Sequence, residues 1–316
     1  MRLFDLHCDT LYSCCQQGQP LDRNSLHIDW ERGLRYDSWL QVFAVWTPDT
    51  LRGEAAWRQA EETLRFARDQ AAAHPEQMRI IQDTGDMAAA VEQHRCGGIL
   101  ALEGAAALAG DARHIADAAR LGVRIITLTW NGENECGYGC GCGPDGRLKP
   151  FGKEAVRLME QQGIVPDVSH LNEAGFWDVA SLAQYPFIAS HSVSRAVCGH
   201  ERNLSDAQFV TIRDRGGLVG LNVCEAQLGE QSFERIERHL DHYLSLGGEH
   251  TVAFGCDFDG TDLPPAWHGI DMMAGLYDYL YRKNYDESCL ERLFFSNCYD
   301  FFSRLFTGFD KAVSIR

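Results

Sequence analysis

The segment LFDLHCDT, residues 3–10, ends an apolar run with a histidine and a carboxylate two residues apart, His7 and Asp9. Side chains two residues apart in an extended strand point to the same face, so both groups can reach one ion. Imidazole and carboxylate are common ligands of zinc and similar divalent cations. The pair alone also fits ordinary hydrogen bonding at a strand end. Its meaning therefore depends on which other polar residues the fold places beside it.

Other apolar runs of the sequence also lead into residues that can bind a metal or move a proton, namely Glu103, His170, His191 and Asp257. Taken singly, each also fits a salt bridge, a helix cap or a turn. Together they favour a metal centre, because independent accidents would not place every one of them at a strand end of the same polarity. Two cations about 3.5–4 Å apart repel each other unless an anion lies between them. Glu103, isolated after GGILAL, is the candidate for that bridge.

Short β-rich runs alternate with amphipathic helical patterns along the chain, which is typical of a parallel sheet covered by helices. The predicted strands are residues 3–6, 40–46, 99–102, 123–128, 164–168, 187–189, 218–223 and 251–255. Two short helices are predicted to begin after the capping residues Asn172 and Ser205. We predict an α/β fold, a TIM-like (β/α)8 barrel that forms a single domain over residues 1–316. The carboxyl ends of its strands share one mouth, where the candidate residues meet.

The most irregular insertion spans about residues 131–150 and is predicted to lie on the active-site face of the barrel. It contains CGYGCGCG, in which Cys136, Cys140 and Cys142 lack the paired spacing of a zinc or redox motif. We interpret the 12 cysteines of the chain as mainly buried free thiols, as is usual in a long chain without a secretory signal.

The charge of the chain restricts its partners. A formal net charge of -16 at pH 7 argues against nucleic acid or an anionic membrane surface, because both would meet like charge. The first residues lack the apolar run of a secretory signal, and no run reaches the roughly 18 residues of a membrane-spanning helix. We expect a soluble, cytoplasmic protein, and the sequence leaves a homodimer open.

Seven segments together resemble a known enzyme family, in its order and rough spacing: DLHCDT, ALEG, TLTWNGENE, GIVPDVSH, PFIASHS, HERNLSD and FGCDFDG. The family is the membrane dipeptidases, also called renal dipeptidases, and the likeness covers nearly the whole chain. The resemblance implies a metallo-dipeptidase on an amidohydrolase-like barrel, with small dipeptides as substrates. It also implies two zinc ions, with other divalent metals left open. The implied ligands are His7 and Asp9 for one ion, His170 and His191 for the other, and Glu103 as the bridge.

The resemblance also implies how substrate is held. Arg202, in HERNLSD, matches the arginine that binds the free carboxylate of the substrate. Animal relatives carry a histidine that contacts the scissile amide or the oxyanion where TLTW has Trp130. Oxyanion stabilisation is then left to zinc or to a neighbour such as Asn131. Trp130, Asn131 and Arg202 are therefore the predicted substrate-binding residues.

The predicted reaction is amide hydrolysis by a water that bridges the two metals. Two cations lower the pKa of such a water from 15.7 toward about 7, which supplies hydroxide at neutral pH. Asp257 matches the acidic residue near that water in the family, and it would accept the proton and return it to the leaving amine. Asp257 and the bridging Glu103 are therefore the predicted catalytic residues.

Two other functions fit the same residues. One is another binuclear-metal amidohydrolase, such as a lactonase or a deaminase, because fold and metals do not determine the substrate. The other is a barrel that binds a small molecule without turnover, and Trp130 is the only residue that supports this interpretation. Arg202 favours the peptidase over the first alternative, and the complete ligand set argues against the second. An assay of dipeptides, lactones and aminated bases separates the three.

Overall fold

A parallel β-sheet organises the chain. The computed structural model describes residues 1–313. Its strands are β1 (Arg2–Cys8), β2 (Ser38–Trp46), β3 (Met78–Ile80), β4 (Cys96–Glu103), β5 (Val123–Thr127), β6 (Val165–Asp167), β7 (Val219–Leu221) and β8 (Val252–Phe254). The strands pair in parallel in the order β6-β5-β4-β2-β1-β8-β7, and β3 pairs with β4.

The sixth predicted strand, residues 187–189, is too short to form a regular ladder. Single parallel bridges join Ile188 to Asp167 of β6 and Ala189 to Val219 of β7, so this segment links the two ends of the sheet order. Strand β3 was not predicted, because it has only three residues and two of them are partly exposed. The α/β fold is confirmed, and the curled parallel sheet is consistent with a TIM-like barrel.

Helices connect the successive strands and cover the sheet. They are α1 (Thr10–Gln17), α2 (Trp30–Gly33), α3 (Gly53–Ala73), α4 (Thr84–Glu92), α5 (Arg113–Leu121), α6 (Pro150–Gln161), α7 (Glu173–Leu182), α8 (Asp206–Asp214), α9 (Glu225–Leu228), α10 (Phe233–Ser245), α11 (Met272–Arg282), α12 (Glu287–Glu291) and α13 (Asn297–Val313). The predicted caps are confirmed. The side chain of Asn172 accepts from the N–H of Gly175, and Ser205 forms a capping box with Gln208.

Apolar side chains form two clusters on the two faces of the strands. The smaller cluster contains Phe4 and Leu6 of β1 and packs against the aromatic residues of α13, where Phe302 stacks on Phe4 with ring centroids 5.6 Å apart. The larger cluster contains Trp39 and Phe43 of β2 and joins the strands to the surrounding helices. Both faces of the sheet are therefore dry, as is usual for parallel sheets.

The predicted insertion precedes α6 and contains a short 3-10 turn over Cys140–Cys142. Cys136 and Cys140 are buried and Cys142 is exposed. All 12 cysteines are free thiols and 7 of them are buried, as predicted from the sequence. Within residues 1–313, no helix combines the length and the apolar character needed to cross a membrane.

Candidate metal centre and active site

The first two candidate ligands meet through a local irregularity of β1. The pairing register of β1 with β2 shifts between Asp5 and Cys8, and β1 ends at Cys8. Asp9 is consequently the residue before helix α1 rather than a strand residue. The side chains still converge, with His7 Nε2 3.7 Å from Asp9 Oδ2. The predicted proximity holds, although simple strand alternation is not its cause.

Glu103, the last residue of β4, lies between two groups of polar side chains. Its Oε2 is 3.5 Å from His7 Nε2. Its Oε1 is 2.9 Å from His170 Nε2 and 3.5 Å from His191 Nε2. Each carboxylate oxygen therefore faces a different group. We call His7, Asp9 and Asp257 the acidic half of the site and His170 with His191 the histidine half, with Glu103 shared between them.

Hydrogen bonds define the protonation of the histidine half. Asn131 Oδ1 can only accept, so His170 donates to it from Nδ1 over 2.8 Å. The hydroxyl of Ser190 donates its one proton to Asp167 at 2.6 Å, so Ser190 Oγ accepts from Nδ1 of His191 at 2.8 Å.

Both imidazoles of the histidine half therefore present a bare Nε2 lone pair. The two Nε2 atoms lie 2.9 Å apart and face the same oxygen of Glu103. Burial lowers the pKa of His170 to about 4 and that of His191 well below its ordinary value, which keeps both rings neutral. Two lone pairs and a carboxylate oxygen repel one another unless a cation lies among them.

The acidic half has the opposite electrostatic character. His7 Nε2 lies 3.7 Å from Asp257 Oδ1, in addition to its contacts with Asp9 and Glu103. Burial opposes a charge on His7, but Glu103 and Asp9 raise its pKa well above the ordinary value. Burial, together with the charge of Glu103, raises the pKa of Asp9, and burial raises that of Asp257 to about 6. These carboxylates favour positive charge at the position of His7.

The donor set fits divalent cations. Three overlapping triplets have ligand atoms within 4.8 Å of one another, and together they contain His7, Asp9, Glu103, His170, His191 and Asp257. Two atoms of the acidic half, His7 Nε2 and Asp9 Oδ1, are buried without a hydrogen-bond partner among the described residues. Such atoms are costly unless something binds them. Imidazole nitrogens with carboxylate oxygens are the ligands of zinc and related metals.

Two buried carboxylates that the sequence analysis did not single out support the cluster from behind. Asp5 accepts from the backbone N–H groups of His7 and Cys256 and from the side-chain amide of Gln41, at 2.9–3.0 Å. It therefore ties β1 to β2 and to the end of β8. Asp5 lies two residues before His7 in DLHCDT, and this spacing could have identified it as a supporting residue.

Asp167 plays the corresponding part beneath the histidine half. It accepts from the N–H groups of Ser169 and Ser190 at 2.9 Å and from the hydroxyls of Thr127 and Ser190 at 2.6 Å. Asp167 is the end of β6, and the VPDVSH segment places it three residues before His170. Its link to His191 passes through Ser190, which no sequence spacing indicates.

Backbone conformation also marks the site. His170 and Asp257 have positive φ values of 66° and 63°, which residues with a side chain adopt infrequently. A Cβ added at Gly260 would overlap carboxylate oxygens of both Asp9 and Asp257. Glycine is therefore required at position 260 for these two acids to approach the same point.

A cavity of about 390 Å³ opens over the cluster. Asp9, Glu103, His170 and Asp257 line it together with the predicted substrate-binding residues Trp130 and Asn131. Its volume is in the range of small-molecule sites. The structure therefore places Trp130 and Asn131 beside the cluster.

Arg202 is buried near the histidine half, with 7% of its surface exposed. Its guanidinium donates two long hydrogen bonds, 3.5 Å to Ser192 Oγ and 3.4 Å to the carbonyl oxygen of His191. Its Nε has no acceptor, and it forms no ion pair within the part of the chain that the structure describes. Burial lowers the pKa of Arg202, as expected for a cation without a counter-ion.

Comparison with known proteins gives relatives in sequence and in structure. The profile of the membrane dipeptidase family, peptidase family M19, matches residues 1–304. An uncharacterized Klebsiella pneumoniae protein in the pqqA 5′ region is 34% identical over 229 residues, 66% of this chain and 84% of that protein. An uncharacterized dipeptidase of Schizosaccharomyces pombe is 30% identical over 154 residues, 46% of this chain and 37% of that protein.

Two solved structures match almost end to end. A metallo peptidase from Rhodobacter sphaeroides, liganded with a phosphinate mimic of the dipeptide L-Ala-D-Ala, has a TM-score of 0.88 and 26% identity over 96% of this chain and 99% of that one. The dipeptidase AC, a metallo peptidase, has a TM-score of 0.88 and 27% identity over 97% of this chain and 99% of that one. The family inferred from seven sequence segments is confirmed. The chain belongs to the membrane dipeptidase family, peptidase family M19, and is a hydrolase of the metallo-dipeptidase type.

Proposed function

We propose that this protein hydrolyses dipeptides with two divalent cations, most simply zinc, held by the acidic half and the histidine half and bridged by Glu103. The observation that carries the proposal is the division of Glu103, whose Oε2 faces His7 while its Oε1 faces both His170 and His191. A carboxylate that faces two ligand groups with separate oxygens is suited to bridge two cations. We further propose that residues 187–189 close the sheet into an eight-stranded barrel.

The proposed metal ligands are the residues predicted from the sequence: His7 and Asp9 for one cation, His170 and His191 for the other, and Glu103 for both. When bound, the cations would polarise the scissile carbonyl and lower the pKa of a water molecule between them. Asn131 and Ser190 hold the rings of His170 and His191 in the required tautomer. The protein therefore contributes prearranged lone pairs rather than a nucleophile of its own.

Asp257 is the proposed proton carrier. Its carboxylate lines the cavity, and its Oδ1 is 3.7 Å from His7 Nε2, so it lies beside the cluster and in contact with the space for substrate. In the proposed reaction it takes the proton of the attacking water and delivers it to the leaving amine. The positive φ of Asp257 and the absence of a side chain at Gly260 allow this placement.

Arg202 is the proposed carboxylate anchor. It is a buried cation with no acidic partner in the described part of the chain, and its Nε lacks an acceptor. A substrate carboxylate would supply the missing charge and acceptor. An anchor that holds the carboxylate one residue beyond the scissile bond favours dipeptides over longer peptides. The dipeptide mimic bound to the Rhodobacter sphaeroides neighbour supports the same substrate class.

Metal analysis joined to a substrate panel tests the proposal. Protein purified with Zn²⁺ should cleave Ala-Ala, lose activity with chelator and regain it with Zn²⁺. The tripeptide and the C-terminally amidated dipeptide should be poor substrates, since neither places a carboxylate at Arg202. Lactones and aminated bases should not react. Cleavage of a lactone or a base, with the dipeptides untouched, would assign a different amidohydrolase reaction.

Replacement of Arg202 by Ala isolates the anchor. We expect a KM for dipeptides at least tenfold higher, because a charge-assisted bidentate contact is lost, with unchanged metal content. Replacement of Arg213 serves as the matched control. Arg213 is on α8 and forms a partly exposed ion pair with Asp214. Unchanged dipeptide kinetics in the Arg202→Ala protein would remove Arg202 from the site.

A further inference from the structure

Three aromatic side chains form a continuous wall on one side of the cavity. Tyr12, Trp46 and Trp130 all line it, and all three are partly exposed. The rings pack edge to face, with centroids 5.5 Å apart for Tyr12 and Trp46 and 5.1 Å apart for Trp46 and Trp130. Edge-to-face packing of this kind holds each ring in place. We call these residues the aromatic wall.

The aromatic wall adjoins the metal cluster. Trp46 is the last residue of β2 and pairs with Glu103 across the sheet, so the two residues leave adjacent strands at the same height. The ring of Trp130 lies 6.2 Å from that of His170. A substrate whose amide reaches Glu103 and the histidine half therefore has one side against this wall.

Arg202 lies beside a different part of the sheet from the aromatic wall. The aromatic wall follows β1, β2 and β5, which flank or lie near β4 in the sheet order. Arg202 contacts the segment at His191 and Ser192, which continues residues 187–189 between β6 and β7. With its carboxylate at Arg202, as proposed above, and its amide at Glu103, a dipeptide would extend its N-terminal residue toward the wall.

The charged groups near the wall are already engaged. The two carboxylate oxygens of Asp259 accept from the Thr10 hydroxyl and from the backbone N–H of His27. Asp9 belongs to the acidic half of the cluster. Glu103 and Asp257, which also line the cavity, belong to the cluster as well, so among the described residues that line the cavity no acid is left to receive a cationic side chain. An anionic side chain would be desolvated against indole rings.

We propose that the aromatic wall receives the side chain of the N-terminal residue of the dipeptide and selects apolar side chains there. The inference rests on the proposed function, since it takes Arg202 as the anchor of the other end. It assigns Tyr12, Trp46 and Trp130 as specificity-determining residues. A larger apolar side chain at the N-terminal residue buries more surface against these rings, so kcat/KM should rise with the size of that side chain.

The test is a matched pair of dipeptide series, X-Ala and Ala-X, with X as Gly, Leu, Phe, Lys or Glu. In the X-Ala series we expect kcat/KM to be at least tenfold higher for Phe or Leu than for Gly, as a few buried methylenes give in other enzymes. Lys and Glu should fall below Leu. The Ala-X series should show a smaller spread. A preference for Lys or Glu at the first position, or a larger apolar preference in the Ala-X series, overturns the assignment.

Variants connect the preference to the wall. Trp130→Ala and Tyr12→Ala should each reduce the Phe-Ala to Gly-Ala ratio about tenfold at unchanged metal content, and Trp130→Phe should restore most of it. Trp177→Ala, at an exposed tryptophan of α7, is the control that leaves the ratio unchanged. A ratio that survives both wall variants contradicts the proposal.

Failure of the proposed function gives a different result. If none of the dipeptides is cleaved, calorimetric binding of Phe-Ala and Gly-Ala to the zinc-loaded protein still ranks the two side chains. Tighter binding of Phe-Ala that is lost in Trp130→Ala keeps the aromatic wall as an apolar subsite while the dipeptidase proposal fails. Equal binding of both dipeptides overturns the wall.

Discussion

The acidic half and the histidine half of the site are arranged to bind a cation by different means. Both histidines of the second half have their Nδ1 atoms bound by Asn131 and Ser190, so their free lone pairs are set in advance. In the first half, His7 stands among carboxylates, with its Nε2 and Asp9 Oδ1 unpartnered. One half is organised by hydrogen bonds and the other by charge. Glu103 joins the two, which is why it is the most informative residue to change.

The largest expected effect is that of Glu103→Gln. Loss of the shared charge should reduce bound metal from two cations to at most one, because the repulsion between cations is no longer screened. Activity should fall about 10³-fold, the equivalent of several kcal/mol of metal-based stabilisation. Metal content by mass spectrometry and dipeptide kinetics measure both effects.

Glu160→Gln is the matched control for that variant. Glu160 is a buried carboxylate of α6 that accepts from the N–H groups of Gln184 and Tyr185, away from the cluster. Its replacement should leave metal content unchanged. Two cations retained in Glu103→Gln would show that the halves bind independently.

The next largest effect is that of Gly260→Ala, which should disturb the acidic half alone. The added methyl overlaps oxygens of Asp9 and Asp257 and must push both carboxylates away. We expect activity to fall about 10²-fold, as an ångström-scale misplacement costs in other sites. The histidine-half cation should remain, as metal analysis would show. Gly308→Ala on α13, where an added methyl meets no described atom within 4 Å, is the control. Full activity in Gly260→Ala would contradict the assigned positions of the two acids.

Ser190→Ala should weaken the histidine half by a smaller factor. It removes the acceptor for Nδ1 of His191 and breaks the link to Asp167. Such supporting contacts contribute about 10–100-fold in metal affinity, measured by competition with a chelator. Ser181→Ala on α7, whose hydroxyl donates to the carbonyl of Asp178, is the control. Unchanged affinity would mean that another group sets the tautomer of His191.

The smallest expected effect concerns a neutral histidine outside the site, His239 of α10. Its Nδ1 accepts from the N–H of Ser194, and burial lowers its pKa to about 4. Because the folded pKa lies below the unfolded value of 6.5, this stability is present above pH 6.5 and is lost as pH falls toward 4. From pH 7.5 to pH 5.5, its share of the unfolding free energy should fall by about 1.4 kcal/mol.

Urea unfolding of the parent protein and of His239→Gln at both pH values isolates that share. The difference between the two pH values should shrink by the same amount in the variant. An equal pH dependence in both proteins would show that His239 accepts a proton in the folded state.

The residues proposed as ligands stand out in the sequence because strand ends are visible in it. Glu103 and Asp257 directly follow apolar runs, and parallel strands bring such ends to one edge. The position of His7 could not be explained in the same way, because the register of β1 shifts after Asp5. Residues 187–189 were predicted as a strand, but the single bridges that they form are too few for a regular ladder.

The supporting contacts could not be predicted from the sequence, for a different reason. The bond from His170 to Asn131 joins residues 39 apart, and the bond from Ser190 to Asp167 joins residues 23 apart. No local pattern encodes such distances, since they depend on how neighbouring strands are placed. The aromatic wall likewise combines Tyr12 of α1, Trp46 at the end of β2 and Trp130 after β5. The sequence therefore indicates which residue types are present, but not which residues contact one another.

Anomalous diffraction at the zinc edge, from crystals grown with Zn²⁺, tests the central claim most directly. We expect two peaks about 3.5–4 Å apart, one beside His7 and Asp9 and the other beside His170 and His191, with Glu103 between them. A single peak, or two peaks that do not share Glu103, would contradict it.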